Sequence, residues 1–199
     1  DDGLAGFTRI EKELAAEADG KPRAAEAWHV GKLPKKLVIK IKDATGKEIN
    51  LAELTAKGPV LVRLTCGCLG CDKELPYFQE LHTAYKAQGL TSLAIFREPD
   101  AKVEAYVKAK KLNMLYAVDT KGESWKIFET KTMPSNFLIA KGGQIVKISA
   151  GCDTSGMIAE RLSEATAKLT GTDKVEVKSK VDAAKPVAAK PASAAPVAK

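Results

Sequence analysis

The mostly apolar run Val60–Thr65 has the length of a β-strand and ends on three cysteines, Cys66, Cys68 and Cys71, beyond which Leu75, Phe78, Leu81 and Tyr85 recur at three- and four-residue intervals. That order, strand then cysteines then a helix with one buried stripe, leaves few architectures open. It places Cys68 at a helix N-terminus, where unpaired backbone N–H groups and the positive end of the dipole favour a thiolate over a thiol. Three of the four cysteines lie within six residues. Such crowding of sulfur serves redox chemistry or metal binding, seldom packing.

The rest of the chain repeats the alternation. Leu37–Ile41 and Lys47–Ile49 flank Asp43-Ala44-Thr45-Gly46 as a hairpin, and a strand over Leu90–Phe96, a helix over Ala101–Lys111 and a strand over Met114–Val118 follow the cysteine helix. A short helix over Glu123–Phe128 then precedes a second hairpin, Phe137–Ile139 and Gln144–Ile148 about Lys141-Gly142-Gly143, and a final helix over Thr154–Leu169. This is the pattern of an α/β fold. With 199 residues and 45% hydrophobic content the chain fills one core rather than two. We expect a domain over residues 31–170, preceded by a helical extension over 1–30 in which Leu4, Phe7, Ile10 and Leu14 form an apolar face, and followed by a Lys/Pro/Ala-rich tail over 171–199. That tail reads as an extended, solvated segment, too poor in apolar surface to offset its ordering entropy.

Charge and composition exclude several function classes. The net charge of +7 is spread as single lysines with no Arg-and-aromatic stripe, so nucleic acid is not an expected partner. No run approaches the roughly 18–20 apolar residues that cross a bilayer. Gly142-Gly143 is a hairpin turn rather than a phosphate loop, and no nicotinamide or flavin motif is present. The chain begins Asp1-Asp2-Gly3 rather than at Met, which fits removal of a targeting segment or trimming alike.

Cys68-Leu69-Gly70-Cys71-Asp72-Lys73-Glu74-Leu75-Pro76 resembles the C-x-x-C-x-x-E-[ML]-P run of the TlpA/ResA-like branch of thioredoxin-like thiol–disulfide oxidoreductases, within the redoxin (AhpC/TSA) group. Gly58-Pro59-Val60-Leu61-Val62 looks like that family's strand entry, and Met133-Pro134-Ser135-Asn136-Phe137-Leu138-Ile139 like its cis-proline segment. The resemblance implies a thioredoxin-like three-layer fold, a central mixed sheet with an N-terminal hairpin and flanking helices. It also implies an enzyme that exchanges electrons with protein thiols and disulfides without a cofactor, in the bacterial periplasm or cell envelope. In that scheme Cys68 attacks, Cys71 resolves, Glu74 moves protons, and Met133 and Pro134 position the substrate. From the residues alone, Glu74 also suits a helix-surface charge and Pro134 an ordinary turn into a strand.

The sequence departs from the family where Gly67 replaces an aromatic and where Leu69-Gly70 lacks a proline. Arg63 interrupts the apolar strand and reads first as a snorkelling side chain, second as a cation that stabilises a thiolate. Closure of the second hairpin returns Cys152 toward Cys66, so all four sulfurs are expected at one end of the sheet. Cys66 and Cys152 then form an auxiliary disulfide or remain thiols. The alternative is a metal centre on Cys66, Cys68, Cys71 and Cys152 holding Zn, Cu or an Fe–S cluster. A non-catalytic subunit of a larger complex, docking on a membrane-associated or multi-subunit partner through the N-terminal helix or the tail, is a third reading. His29 and His82 lack metal-ligand or Cys–His spacing, and Trp28 and Trp125 read as packing residues.

Overall fold

The computed structural model describes residues 31–32, 38–42 and 48–184. The helix expected over residues 4–14, Trp28, His29 and the segment 185–199 lie outside them. The described elements run β1 (Gly31–Lys32), β2 (Val38–Lys42), β3 (Glu48–Asn50), α1 (Leu51–Lys57), β4 (Val60–Thr65), α2 (Leu69–Tyr85), β5 (Thr91–Phe96) and α3 (Asp100–Lys110). They continue with β6 (Leu115–Val118), α4 (Glu123–Ile127), β7 (Ser135–Ile139), β8 (Gln144–Ala150), α5 (Met157–Thr170) and α6 (Val177–Ala184). The strands form one sheet in the order β1-β8-β7-β4-β5-β6-β2-β3. β4, β5 and β6 are parallel, and the remaining pairs are antiparallel.

Side-chain alternation along β4 divides the core in two. Val60, Val62 and Leu64 face one side, where they meet Leu51 and Leu54 of α1, Trp125 of α4 and Phe137 of β7. Leu61 faces the other, against Phe78, Leu81 and Tyr85 of α2 and Ile158 and Leu162 of α5. Helices cover both faces, so every residue of β4 is buried. The hairpin β2–β3 pairs Val38 with Asn50 and joins the sheet through β6, as the sequence pattern implies.

Two elements go beyond the sequence reading. α1 starts where the Asn50 side-chain oxygen accepts the Ala52 N–H at 2.9 Å, an N-cap that satisfies one of the helix's orphan donors. The second correction concerns residues 171–184, which are not an extended tail. Val177 and Val181, four residues apart on α6, are buried against α2 and α5. The Tyr85 hydroxyl accepts the Val175 N–H at 2.9 Å, Ser163 Oγ donates to the Val175 carbonyl at 2.6 Å, and the Tyr77 hydroxyl donates to Asp182 at 2.6 Å. Two valines on one helical face, given a groove between two helices, outweigh the polar average of the segment.

A chain ended at Thr170 uncovers the apolar groove beneath α6. From about 1.5–3 kcal/mol per buried valine, we expect it to lose about 3 kcal/mol or more in denaturant unfolding while keeping its far-UV helical signature. An unchanged unfolding midpoint would contradict the packing role of α6.

Candidate active site

β4 delivers the chain to the site and α2 carries it away. Cys68 is the N-cap of α2, with extended backbone geometry, and its carbonyl accepts the Asp72 N–H at 2.9 Å. Its side chain is exposed, whereas Cys66 and Cys71 retain 9% and 2% of their accessible surface. Cys66 and Cys68 are joined in a disulfide, while Cys71 is a thiol whose Sγ lies 3.3 Å from Cys66 Sγ. The three sulfurs fall within 4.8 Å of one another. Cys66 therefore pairs with Cys68, not with Cys152. The turn through Gly67 accounts for this locally, since it folds the Cys68 N–H to within 3.4 Å of Cys66 Sγ.

The β7–β8 hairpin brings Cys152 to the same end of the sheet. The Gly151 N–H donates to the Pro134 carbonyl at 2.9 Å, and the Asp153 N–H to Glu74 Oε1 at 3.3 Å. Gly156, with φ +87°, lets this loop settle on α2: a Cβ there would lie 2.5 Å from the Tyr77 ring. Cys152 is exposed and carries a thiol, but it is not within the three-sulfur group. Partial burial, with Glu74 and Cys71 nearby, pushes its pKa up, and Arg63 opposes the shift. Cys152 is thus held as a thiol. The Met133–Pro134 peptide is cis. Ser135 stands opposite Leu64 in the ladder, so Pro134 lies level with the end of β4, beside the cysteines.

Arg63 does not snorkel. From the central strand it has no route to water, and it lies beneath α2, where Nη2 donates to Glu74 Oε2 at 3.3 Å and Nη1 to Asn136 Oδ1 at 3.1 Å. Its guanidinium also stacks 3.9 Å over the Phe78 ring. Glu74, retaining 1% of its surface, is no helix-surface charge either. Burial raises its pKa, and the attraction of Arg63 and the Asp153 N–H offset this only in part. Glu74 sits one turn from Cys71 on the same helix.

The space left by the small Gly67 is lined by an aromatic from another element. A Cβ on Gly67 would lie 3.2 Å from the Tyr106 ring of α3. The Tyr106 hydroxyl donates to Asp72 at 3.2 Å, Lys110 reaches the same carboxylate at 3.0 Å, and Glu98 accepts the Gly67 N–H at 2.8 Å. Nothing in the sequence pattern singles out Tyr106 or Glu98. Their roles depend on how the ends of β5 and α3 meet the cysteine turn. His82 pairs with Ser92 Oγ at 3.0 Å at the edge of the core, and Trp125 packs in the interior, as their spacing implies.

The family model described as the AhpC/TSA family matches residues 32–148. The chain belongs to the AhpC/TSA family. Among curated members, the thiol-disulfide oxidoreductase ResA of Bacillus cereus is 31% identical over 165 residues, 82% of this chain and 90% of that protein. ResA of Bacillus subtilis is 29% identical over 124 residues, 62% and 69% of the respective chains. The crystal structure of StoA from Bacillus subtilis superposes with a TM-score of 0.55 at 27% identity, covering 68% of this chain and 98% of StoA. A putative thiol:disulfide interchange protein DsbE from Chlorobium tepidum gives a TM-score of 0.64 at 19% identity, covering 71% and 98%, and supports the thioredoxin-like fold.

The raised pKa of Glu74 fixes the sign of a pH effect. A carboxyl that binds its proton more tightly folded than unfolded contributes stability below its ordinary pKa of about 4.3. That contribution is lost as pH rises through the higher folded-state pKa. We therefore expect the stability of the wild-type chain relative to Glu74→Gln to fall as urea titrations move upward from about pH 4. A difference that grows with pH would mean that Arg63 dominates and the shift has the opposite sign.

Proposed function

We propose that this chain is a thiol–disulfide oxidoreductase that acts on protein thiols and disulfides, with Cys68 as its nucleophile. The observation that carries this reading is the position of Cys68 as the exposed sulfur at the N-cap of a 17-residue helix, with two buried sulfurs behind it. Helix N–H groups and dipole stabilise its thiolate, which attacks a substrate disulfide, forms a mixed disulfide and expels the substrate's other sulfur as a thiolate. One of the two buried sulfurs, Cys66 or Cys71, then attacks Cys68 Sγ, and the substrate leaves reduced. In the oxidising direction the steps run in reverse.

The buried Glu74, its carboxyl pKa raised by burial, serves as proton acceptor and donor for Cys71, one turn away. Met133 and Pro134, level with the end of β4, offer backbone along which an extended substrate lies across Cys68. The reading is supported by 31% identity to ResA over 82% of the chain. Exchange between sulfurs needs no cofactor. An oxidising compartment suits a centre that carries a disulfide, and we assign the chain to the bacterial cell envelope on that ground. No helix among the described residues is long and apolar enough to cross a membrane.

In a Cys66→Ser/Cys71→Ser double variant neither buried sulfur remains to release the substrate. A mixed disulfide with an oxidised protein substrate is expected to accumulate, and peptide mass mapping should place it on Cys68. Cys68→Ser alone should reduce insulin no faster than background. Adducts confined to Cys152, or full turnover by Cys68→Ser, would refute the assignment.

A further inference from the structure

A two-cysteine centre has one oxidised form, in which the exposed nucleophile is tied to its resolving partner. Here the disulfide joins exposed Cys68 to Cys66, while buried Cys71 stands outside it with its Sγ 3.3 Å from Cys66 Sγ. That separation is within the range from which a positioned nucleophile reacts. We propose that Cys66 is a third redox-active cysteine and that the oxidised centre exchanges between a Cys66–Cys68 and a Cys66–Cys71 disulfide. The proposal rests on the reading of the chain as a thiol–disulfide oxidoreductase and deepens it.

The step is an internal thiol–disulfide exchange with no net oxidation. The Cys71 thiol gives its proton to the Glu74 carboxylate, one turn along α2. The Cys71 thiolate attacks Cys66 Sγ, a Cys66–Cys71 bond forms, and the Cys66–Cys68 bond breaks with its electron pair on Cys68 Sγ. Distance selects the sulfur attacked, since the Cys66 sulfur is in contact with Cys71. Leaving-group chemistry selects the direction, because a thiolate at a helix N-terminus is the better leaving group. Cys68 occupies that cap, and Cys66 lies before the helix begins.

The outcome is an oxidised protein that still presents a nucleophile. In the Cys66–Cys71 form Cys68 is an exposed thiolate, so it can attack a mispaired substrate disulfide before any external reductant has acted. Redox-neutral rearrangement of substrate disulfides thereby becomes available to the oxidised protein.

The test uses the full chain carrying Cys152→Ser, oxidised stoichiometrically with diamide so that each molecule holds one disulfide and one thiol. Pulses of iodoacetamide label that thiol, and after reduction and a second label the tryptic peptide Leu64–Lys73 is sequenced by fragment ions. Label should collect on Cys68 through exchange, the enclosed Cys71 reacting slowly, and Cys66 should be spared. Label confined to Cys71 at every pulse length would show that no exchange occurs. Label on Cys66 would show a Cys68–Cys71 disulfide; either result overturns the proposal. Insulin reduction by the same protein in its reduced state keeps the two readings apart: activity with label on Cys66 removes only the third cysteine, whereas no activity removes the oxidoreductase reading itself.

Discussion

The Arg63–Glu74 ion pair lies beneath α2 with its side chains at 3% and 1% exposure, and either charge alone in that position would cost several kcal/mol. The pair holds together parts of the chain that are remote in sequence. Arg63 comes from β4 and donates to Asn136 on β7, while Glu74 comes from α2 and accepts from the Asp153 backbone after β8. Strand, helix, cis-proline segment and Cys152 loop therefore converge on two side chains. Replacing the pair with hydrophobic residues would fill the space. It would also remove a buried cation whose field lowers the pKa of Cys152 and Tyr106 against burial.

Most of the frame around this pair was legible in the sequence. The apolar run of β4, the stripe of α2 and the two hairpins follow directly from periodicity, and family resemblance supplied the cis proline. No comparable signal announces the pairing of Arg63 with Glu74. A lone arginine in a strand is as compatible with a surface edge as with a buried bridge until the strand order is known, and β4 proves to lie between β5 and β7. Sulfur pairing was hidden for a similar reason. C-x-C-x-x-C spacing brings three sulfurs close, but the turn at Gly67 decides which two meet. In α6, Val177 and Val181 were obscured by a lysine- and proline-rich surrounding that made the whole C-terminal stretch look uniformly solvated.

The missing aromatic before Cys68 also acquires a physical account. Tyr106 projects from α3 against Gly67, its ring edge-on to Phe96 at 5.7 Å, so a large residue at position 67 would collide with it. An aromatic surface beside the cysteines is kept, but it is supplied from a helix rather than from the cysteine turn. This leaves the turn itself small, and a small turn is what allows Cys66 and Cys68 to approach each other.

These features bear on where negative charge settles among the sulfurs. Cys71 and Cys66 are enclosed, with 2% and 9% of their surface accessible. Cys152 is held protonated by burial and by the neighbouring Glu74 and Cys71. Cys68 alone combines exposure to water with a position at the head of α2, so the most favourable arrangement of one disulfide and one thiolate puts the charge there. That arrangement requires the disulfide to lie between the two enclosed sulfurs, Cys66 and Cys71, whose atoms are already in contact. The proton that Cys71 passes to Glu74 in reaching that arrangement couples the state of the sulfurs to the ion pair beneath them.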